Sequence, residues 1–233
     1  MVRRLGYPFA LFCTLALALV AAPAGAGPID LTSISGTWQN PVGGDNVTGE
    51  GTSAISWGDG LLPDSGYLFE PGADLLGAAI GVPLLLGTFT HFNEEIPLPA
   101  LTAVDLDFGF HTNGVPGSAG GVFTFAHNET PNDTGTSPAD DDIVTITAPI
   151  VNIPITVGTD VYFFNLLGFS VDGGVTFQNV FSSVEGGHNA ALLYGQLTTA
   201  PVPEPANLLL FGGAMLALAA RMRRLRPAPR TGH

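Results

Sequence analysis

The stretch Leu101-Thr-Ala-Val-Asp-Leu-Asp-Phe-Gly-Phe-His111 decides the fold. Val104, Leu106, Phe108 and Phe110 recur at every second position, and Asp105, Asp107, Gly109 and His111 fill the gaps. A period of two puts these sets on opposite faces of a strand, one dry and one wet. Strands with one wet face belong to antiparallel sheets. A Gly-rich turn leads on to residues 122–127, which are expected to pair back as a hairpin. Upstream, residues 35–39, 52–57, 66–70 and 84–92 read as further strands. Downstream, so do 143–147, 161–170 and 190–198. The run 161–170 is apolar throughout, so a central position is expected for it. Asp172-Gly173-Gly174 is a turn signal, and residues 175–181 are expected to return as its partner. Residues 73–80 fit either a short helix or a loop. Helical periodicity is otherwise nearly absent between turn residues, so the expected fold is all-β. One antiparallel β-sandwich of jelly-roll type over residues 27–200 fits the pattern.

Charge is segregated along the chain. All 20 acidic residues lie between Asp30 and Glu204, and all seven basic residues, every one an arginine, lie outside that span. Phosphate contacts by Lys or Arg supply most nucleic-acid affinity, so a nucleic-acid partner is excluded for the middle of the chain. Direct pairing with anionic membranes or acidic polysaccharides is disfavoured for the same reason. With no Arg to pair with, most Asp and Glu are expected to be solvated.

The two ends read as targeting segments. In residues 1–26, Arg3 and Arg4 precede an apolar run, and Ala24-Gly25-Ala26 offers a signal-peptide cleavage site. This predicts a signal helix, export through the Sec translocon and a mature start at Gly27. The only cysteine, Cys13, lies in that segment, so disulfides and Cys-based sites are excluded from the mature chain. Residues 201–226 begin with Val202-Pro203-Glu204-Pro205, which two prolines should hold extended. An uncharged run, 208–220, follows, and then Arg221, Arg223, Arg224 and Arg226. Thirteen helical residues reach about 20 Å, short of the roughly 30 Å hydrocarbon core, and snorkelling arginines narrow the gap. The expectation is a short C-terminal transmembrane helix with the arginines and residues 227–233 cytoplasmic and the domain outside.

Motif, short span and basic stop in this order resemble the PEP-CTERM sorting signal of exosortase-bearing Gram-negative bacteria. Thr90-His91-Phe92-Asn93, with Ser35-Gly36-Thr37-Trp38, Ile55-Ser56-Trp57-Gly58 and Ser65-Gly66-Tyr67, is similar to the THxN family of PEP-CTERM proteins and its choice-of-anchor K relatives. The resemblance implies an inner-membrane intermediate, processing by an exosortase-type enzyme, and delivery to the cell surface or extracellular matrix. It implies an exopolysaccharide or biofilm setting and lends no activity to particular residues; with no catalytic motif in the chain, the expectation is a non-enzymatic structural or interaction role. A carbohydrate-binding or Ca²⁺-dependent adhesion module is the alternative, and a surface hydrolase the third reading.

Several residue sets carry candidate chemistry. His91 and Asn93 form either a ligand or general base with its neighbour, or a strand end where Asn93 bonds backbone and His91 is half-exposed; the second is the simpler reading. Asp105, Asp107 and His111 on one strand face, with His127 nearby, offer a transition-metal set, against the plainer reading of a wet face. Asp133, Asp140, Asp141 and Asp142 lie in an oxygen-rich stretch that suits Ca²⁺ without matching an EF-hand, and a solvated acidic loop is the simpler reading. No cofactor other than Ca²⁺ is suggested. Glu94, Glu129 and Glu185 contain no readable glycosidase pair, since sequence supplies no separation. Trp38, Trp57 and Tyr67 serve either as a sugar platform or as core aromatics, with the core preferred. The expectation is therefore no catalytic residue.

Overall fold

The computed structural model describes residues 28–61, 63–96, 99–113, 118–131, 137–148 and 152–202. The expected signal segment with Ala24 and Ala26, the stop-transfer arginines, Asp133 and everything from Pro203 onward lie outside these residues. Twelve strands form among the described residues: β1 Ile29–Gly43, β2 Ala54–Trp57, β3 Ser65–Pro71, β4 Leu75–Ala78, β5 Pro83–Asn93, β6 Leu101–Thr112, β7 Ser118–Asn128, β8 Asp142–Ala148, β9 Ile153–Val157, β10 Asp160–Ser170, β11 Val180–Ser183 and β12 Gly187–Thr198. They build two six-stranded sheets, ordered β11-β8-β7-β6-β1-β4 and β2-β3-β5-β12-β10-β9. Every pairing is antiparallel. No helix among the described residues is long and apolar enough to cross a membrane.

The deciding stretch sits in β6 in the expected phase. Val104, Leu106, Phe108 and Phe110 are buried, and Asp107 and His111 are exposed. Its hairpin with β7 pairs Val104 with Phe125 and Leu106 with Phe123. The inner faces of both sheets share one core. Phenylalanine dominates it: Phe108 stacks on Phe123 of its own sheet and on Phe164 of the other. Burial of each such ring contributes about 1.5–3 kcal/mol. Phe89 of β5 is a hub, within ring contact of Trp38, Tyr67, Phe125, Phe169 and Phe181. Trp38, Trp57 and Tyr67 are all fully buried, so they are core and not an exposed platform.

Four expectations change. Residues 75–78 form strand β4, at the edge beside β1, and not a helix or loop. β9 was not expected; its Pro154 is tolerated because β9 lies at a sheet edge, beside β10 only. The run 161–170 is interior but not central, standing fifth of six between β12 and β9. Residues 175–181 do not return along β10. Among the described residues the returning chain pairs with the β10 backbone only at the Phe169–Gln178 bridge, then crosses to the other sheet, where β11 pairs with β8. Gly168 permits that bridge: its φ is +113°, and a side chain there would meet the Gln178 carbonyl.

Candidate functional site

Three strands deliver polar residues to inward positions at one end of the core. In β5, Leu86, Phe89, His91 and Asn93 are buried, so the strand's inner face turns from apolar to polar. β7 does the same, with Phe123, Phe125 and then His127. So does β8 read backwards, with Ile146, Val144 and then Asp142. Alternation fixes the direction of each side chain, so all three point into the space between the sheets.

There His91, His127 and Asp142 come together, each offering a ligand atom within 4.8 Å of the others. Tyr67 Oη lies 2.7 Å from His127 Nδ1, and Ser183 Oγ lies 2.7 Å from His91 Nδ1. Each imidazole is therefore held at Nδ1 by a hydroxyl, with Nε2 left on the far edge. His127 Nε2 is 3.2 Å from Glu129 Oε2 and 3.6 Å from Asp142 Oδ2. The second distance is too long for a hydrogen bond. Asp142 Oδ1 accepts from the Thr130 N–H at 2.9 Å, while Oδ2 is buried without a hydrogen-bond partner. His91 Nε2 is likewise buried and unpartnered. Glu129, Asp142 and Glu185 form a second, overlapping triplet on the same scale.

Aromatic walls close the site toward the core. Trp57 stacks on the His91 ring at 6.0 Å and meets His127 edge-on at 5.3 Å. The two imidazoles meet edge to face at 5.2 Å. Ser183 ties the sheets together: Asn93 Nδ2 donates to its carbonyl at 3.0 Å while its hydroxyl meets His91.

Burial sets the protonation of the cluster. It pushes Asp142 up to about 6, opposed by the Thr130 N–H and helped by the charge of Glu129. It pushes Glu129 up to about 7, against an opposing contribution from Asp142. His127 is lowered to about 4 by burial, with Asp142 pulling the other way. Burial and the neighbouring His127 hold His91 well below the usual imidazole range. Burial, then the charges of Asp142 and Glu129, raise Tyr67 well above the phenol range, so its hydroxyl keeps its proton. Neutral imidazoles are ready to ligate a metal ion, whereas carboxyls raised this far must give up their protons to do so, so that binding would release protons.

The expected groupings are redistributed. Asp105 and Asp107 sit on the outer face of β6, and Asp105 accepts from Thr124 Oγ1 at 2.7 Å and Asn40 Nδ2 at 3.1 Å. His111 is exposed, and His127 points the other way, so those four residues form no common set. His91 is fully buried and not half-exposed, although Asn93 does bond backbone as expected. Asp140, Asp141 and Asp142 are buried and not a solvated loop. Asp141 Oδ2 accepts from Ser182 Oγ at 2.8 Å. Of the three glutamates considered, Glu129 and Glu185 meet at Asp142, and Glu94 is outside that group. One sequence signal pointed at the cluster: His91, His127 and Asp142 each continue an apolar alternation, in step with Phe89, Phe125 and Val144. No family model matches the chain, and no curated protein matches it.

Proposed function

We propose that this chain is an exported, non-enzymatic surface protein, sorted by an exosortase-type PEP-CTERM system into the envelope or matrix of a Gram-negative cell. Its two sheets would form a jelly-roll-like sandwich displayed outside the membrane. The observation that carries the reading is the C-terminal sequence: Val202-Pro203-Glu204-Pro205, the uncharged run 208–220 and the arginines from Arg221 to Arg226.

The domain's exit geometry supports it. After β12, the chain is held at Val202 by one side chain. Asn152 Oδ1 accepts from the Val202 N–H at 2.7 Å, and Asn152 Nδ2 donates to its carbonyl at 3.0 Å. Asn152 takes φ of +61°, a left-handed conformation that asparagine tolerates. Val202, the first residue of the sorting tetrapeptide, is thus tied back to the loop that precedes β9. Burial of the titratable cluster behind Trp57 and Tyr67 suits a structural role better than turnover.

The test is processing in a host that carries an exosortase. Wild type should lose its arginine tail, as read by intact mass, and reach the surface. Changing Pro203, Glu204 and Pro205 to Ala should leave an uncleaved form in the inner membrane. Equal processing and surfacing of that variant would reduce the tail to a plain anchor.

A further inference from the structure

We propose that His91, His127, Asp142 and Glu129 form a binding site for one divalent first-row transition cation of the Zn²⁺ class, which clamps the two sheets together.

Donor type and direction come first. Two imidazoles and two carboxylates are a set that Zn²⁺ and its neighbours take, whereas Ca²⁺ prefers all-oxygen cages. His91 Nε2 and Asp142 Oδ2 are buried and have no hydrogen-bond partner. Both residues are fully buried. Leaving such atoms unmatched is costly, and native cores rarely do it without a ligand or a function.

Spacing comes second. Metal–ligand bonds of about 2.0–2.2 Å in a tetrahedron set neighbouring donors about 3.3–3.6 Å apart. His127 Nε2 stands 3.2 Å from Glu129 Oε2 and 3.6 Å from Asp142 Oδ2. The His91 ligand atom lies within 4.8 Å of those of His127 and Asp142, so these three group on the scale of one ion, and Glu129 adjoins them through His127 and Asp142.

The surroundings come third. Metal-bound histidines pass their other N–H to an oxygen that fixes the ring. Here Tyr67 Oη and Ser183 Oγ already stand 2.7 Å from the two Nδ1 atoms. Charge balance points the same way. Between Arg4 and Arg221 the chain has no Lys or Arg, so no basic side chain of the domain can neutralise Asp142, Glu129 and the adjoining Glu185. A divalent cation does so directly. His91 lies in one sheet and His127 and Asp142 in the other, so the ion would cross-link both layers. The aromatic wall that Trp57 raises on the core side suits a structural site.

The rival is a set of shared protons with no metal. To separate the two, the full-length chain in mild detergent is treated with EDTA, desalted and titrated with Zn²⁺ and, separately, Ca²⁺ at matched ionic strength. The expected result is one Zn²⁺ per chain and a higher Tm, with no such rise from Ca²⁺. Co²⁺ should give visible d–d bands of a four-coordinate site. His91→Gln with His127→Gln should weaken Zn²⁺ binding more than about a hundredfold while His111, His188 and His233 remain. Because that double variant risks misfolding, Ser183→Ala is the gentler probe; it should keep the fold by circular dichroism and weaken binding about 10–100-fold. Failure of the folded wild type to bind Zn²⁺, or a Ca²⁺ response equal to that of Zn²⁺, would overturn the proposal. So would unchanged binding in both variants.

Discussion

Asp172 and Asp142 are aspartates at strand ends, and their surroundings are opposite. Asp172 follows β10 in an exposed turn. Its carboxylate accepts from Thr176 Oγ1 and Ser170 Oγ at 2.7 Å, from the Thr176 N–H at 3.0 Å and from the Val175 N–H at 3.1 Å. Those donors, Thr176 first, hold it well below the usual carboxylate range. Asp142 opens β8 inside the core and has one oxygen on Thr130 and the other on nothing. The difference separates two uses of a carboxylate. A turn supplies its own backbone donors and asks for nothing more. The buried cluster leaves His91 Nε2 and Asp142 Oδ2 without a hydrogen-bond partner, an arrangement that stability alone does not favour.

Phe89 joins the two regions, touching Tyr67 on the cluster side and Phe169 on the turn side. Phe89→Ala should therefore disturb both, at a cost of about 3–5 kcal/mol in denaturant unfolding. A loss confined to one region, read by amide exchange at His127 and at Gly174, would show that they are packed independently.

A pH series on chelator-treated protein sharpens the contrast. Asp142 and Glu129 have folded values of about 6 and about 7, above their ordinary 3.8 and 4.5. The stability they contribute is present below about pH 4 and lost as pH rises through 6 to 7. His127, at about 4 against 6.5, and His91, held well below 6.5, run the other way, two groups against two: their contribution is present above pH 6.5 and lost as pH falls through their folded values. The two trends should nearly cancel between pH 4.5 and 6, giving a flat Tm there. Glu129→Gln with Asp142→Asn should leave the imidazole trend alone, with Tm rising across that window. A flat profile in the double variant would mean that the imidazoles are not lowered, and a wild type that rises like the variant would mean that the carboxyls are not raised.

The smallest effect belongs to the turn. Asp172→Asn should lower Tm slightly at pH 7, since one acceptor oxygen becomes a donor. Because the folded value of Asp172 is depressed, its contribution is present above about pH 4 and lost as pH falls through the folded value. The gap between variant and wild type should therefore close on acidification. A gap that does not shrink at all between pH 5 and pH 2 would place the effect in turn geometry and not in charge.

What the sequence disclosed follows from what each segment had to bury. β6 and β7 were readable because one face packs and the other is wet, and a slip of one residue would expose four apolar side chains. β4 was not: it is a short edge strand whose Leu76 is 73% exposed, so no alternation exists to read. Residues 172–174 announced a reversal, but a turn does not say which sheet the chain joins next. The cluster was half legible. Grouping Asp105, Asp107, His111 and His127 by nearness along the chain ignored the phase of His127, which follows Phe123 and Phe125 inward. Joining it to His91 and Asp142 needs the packing of one sheet on the other, and no local pattern carries that.

The Asn152 clamp on Val202 also sets how the domain would bear load. A pull on the chain beyond Val202 first meets two hydrogen bonds and then runs along β12. That strand is flanked by β5 and β10, so its ladders on both sides resist sliding together instead of opening one rung at a time. Force applied at this end is shared across the width of a sheet, so a body tethered by its C-terminus would hold its shape under drag.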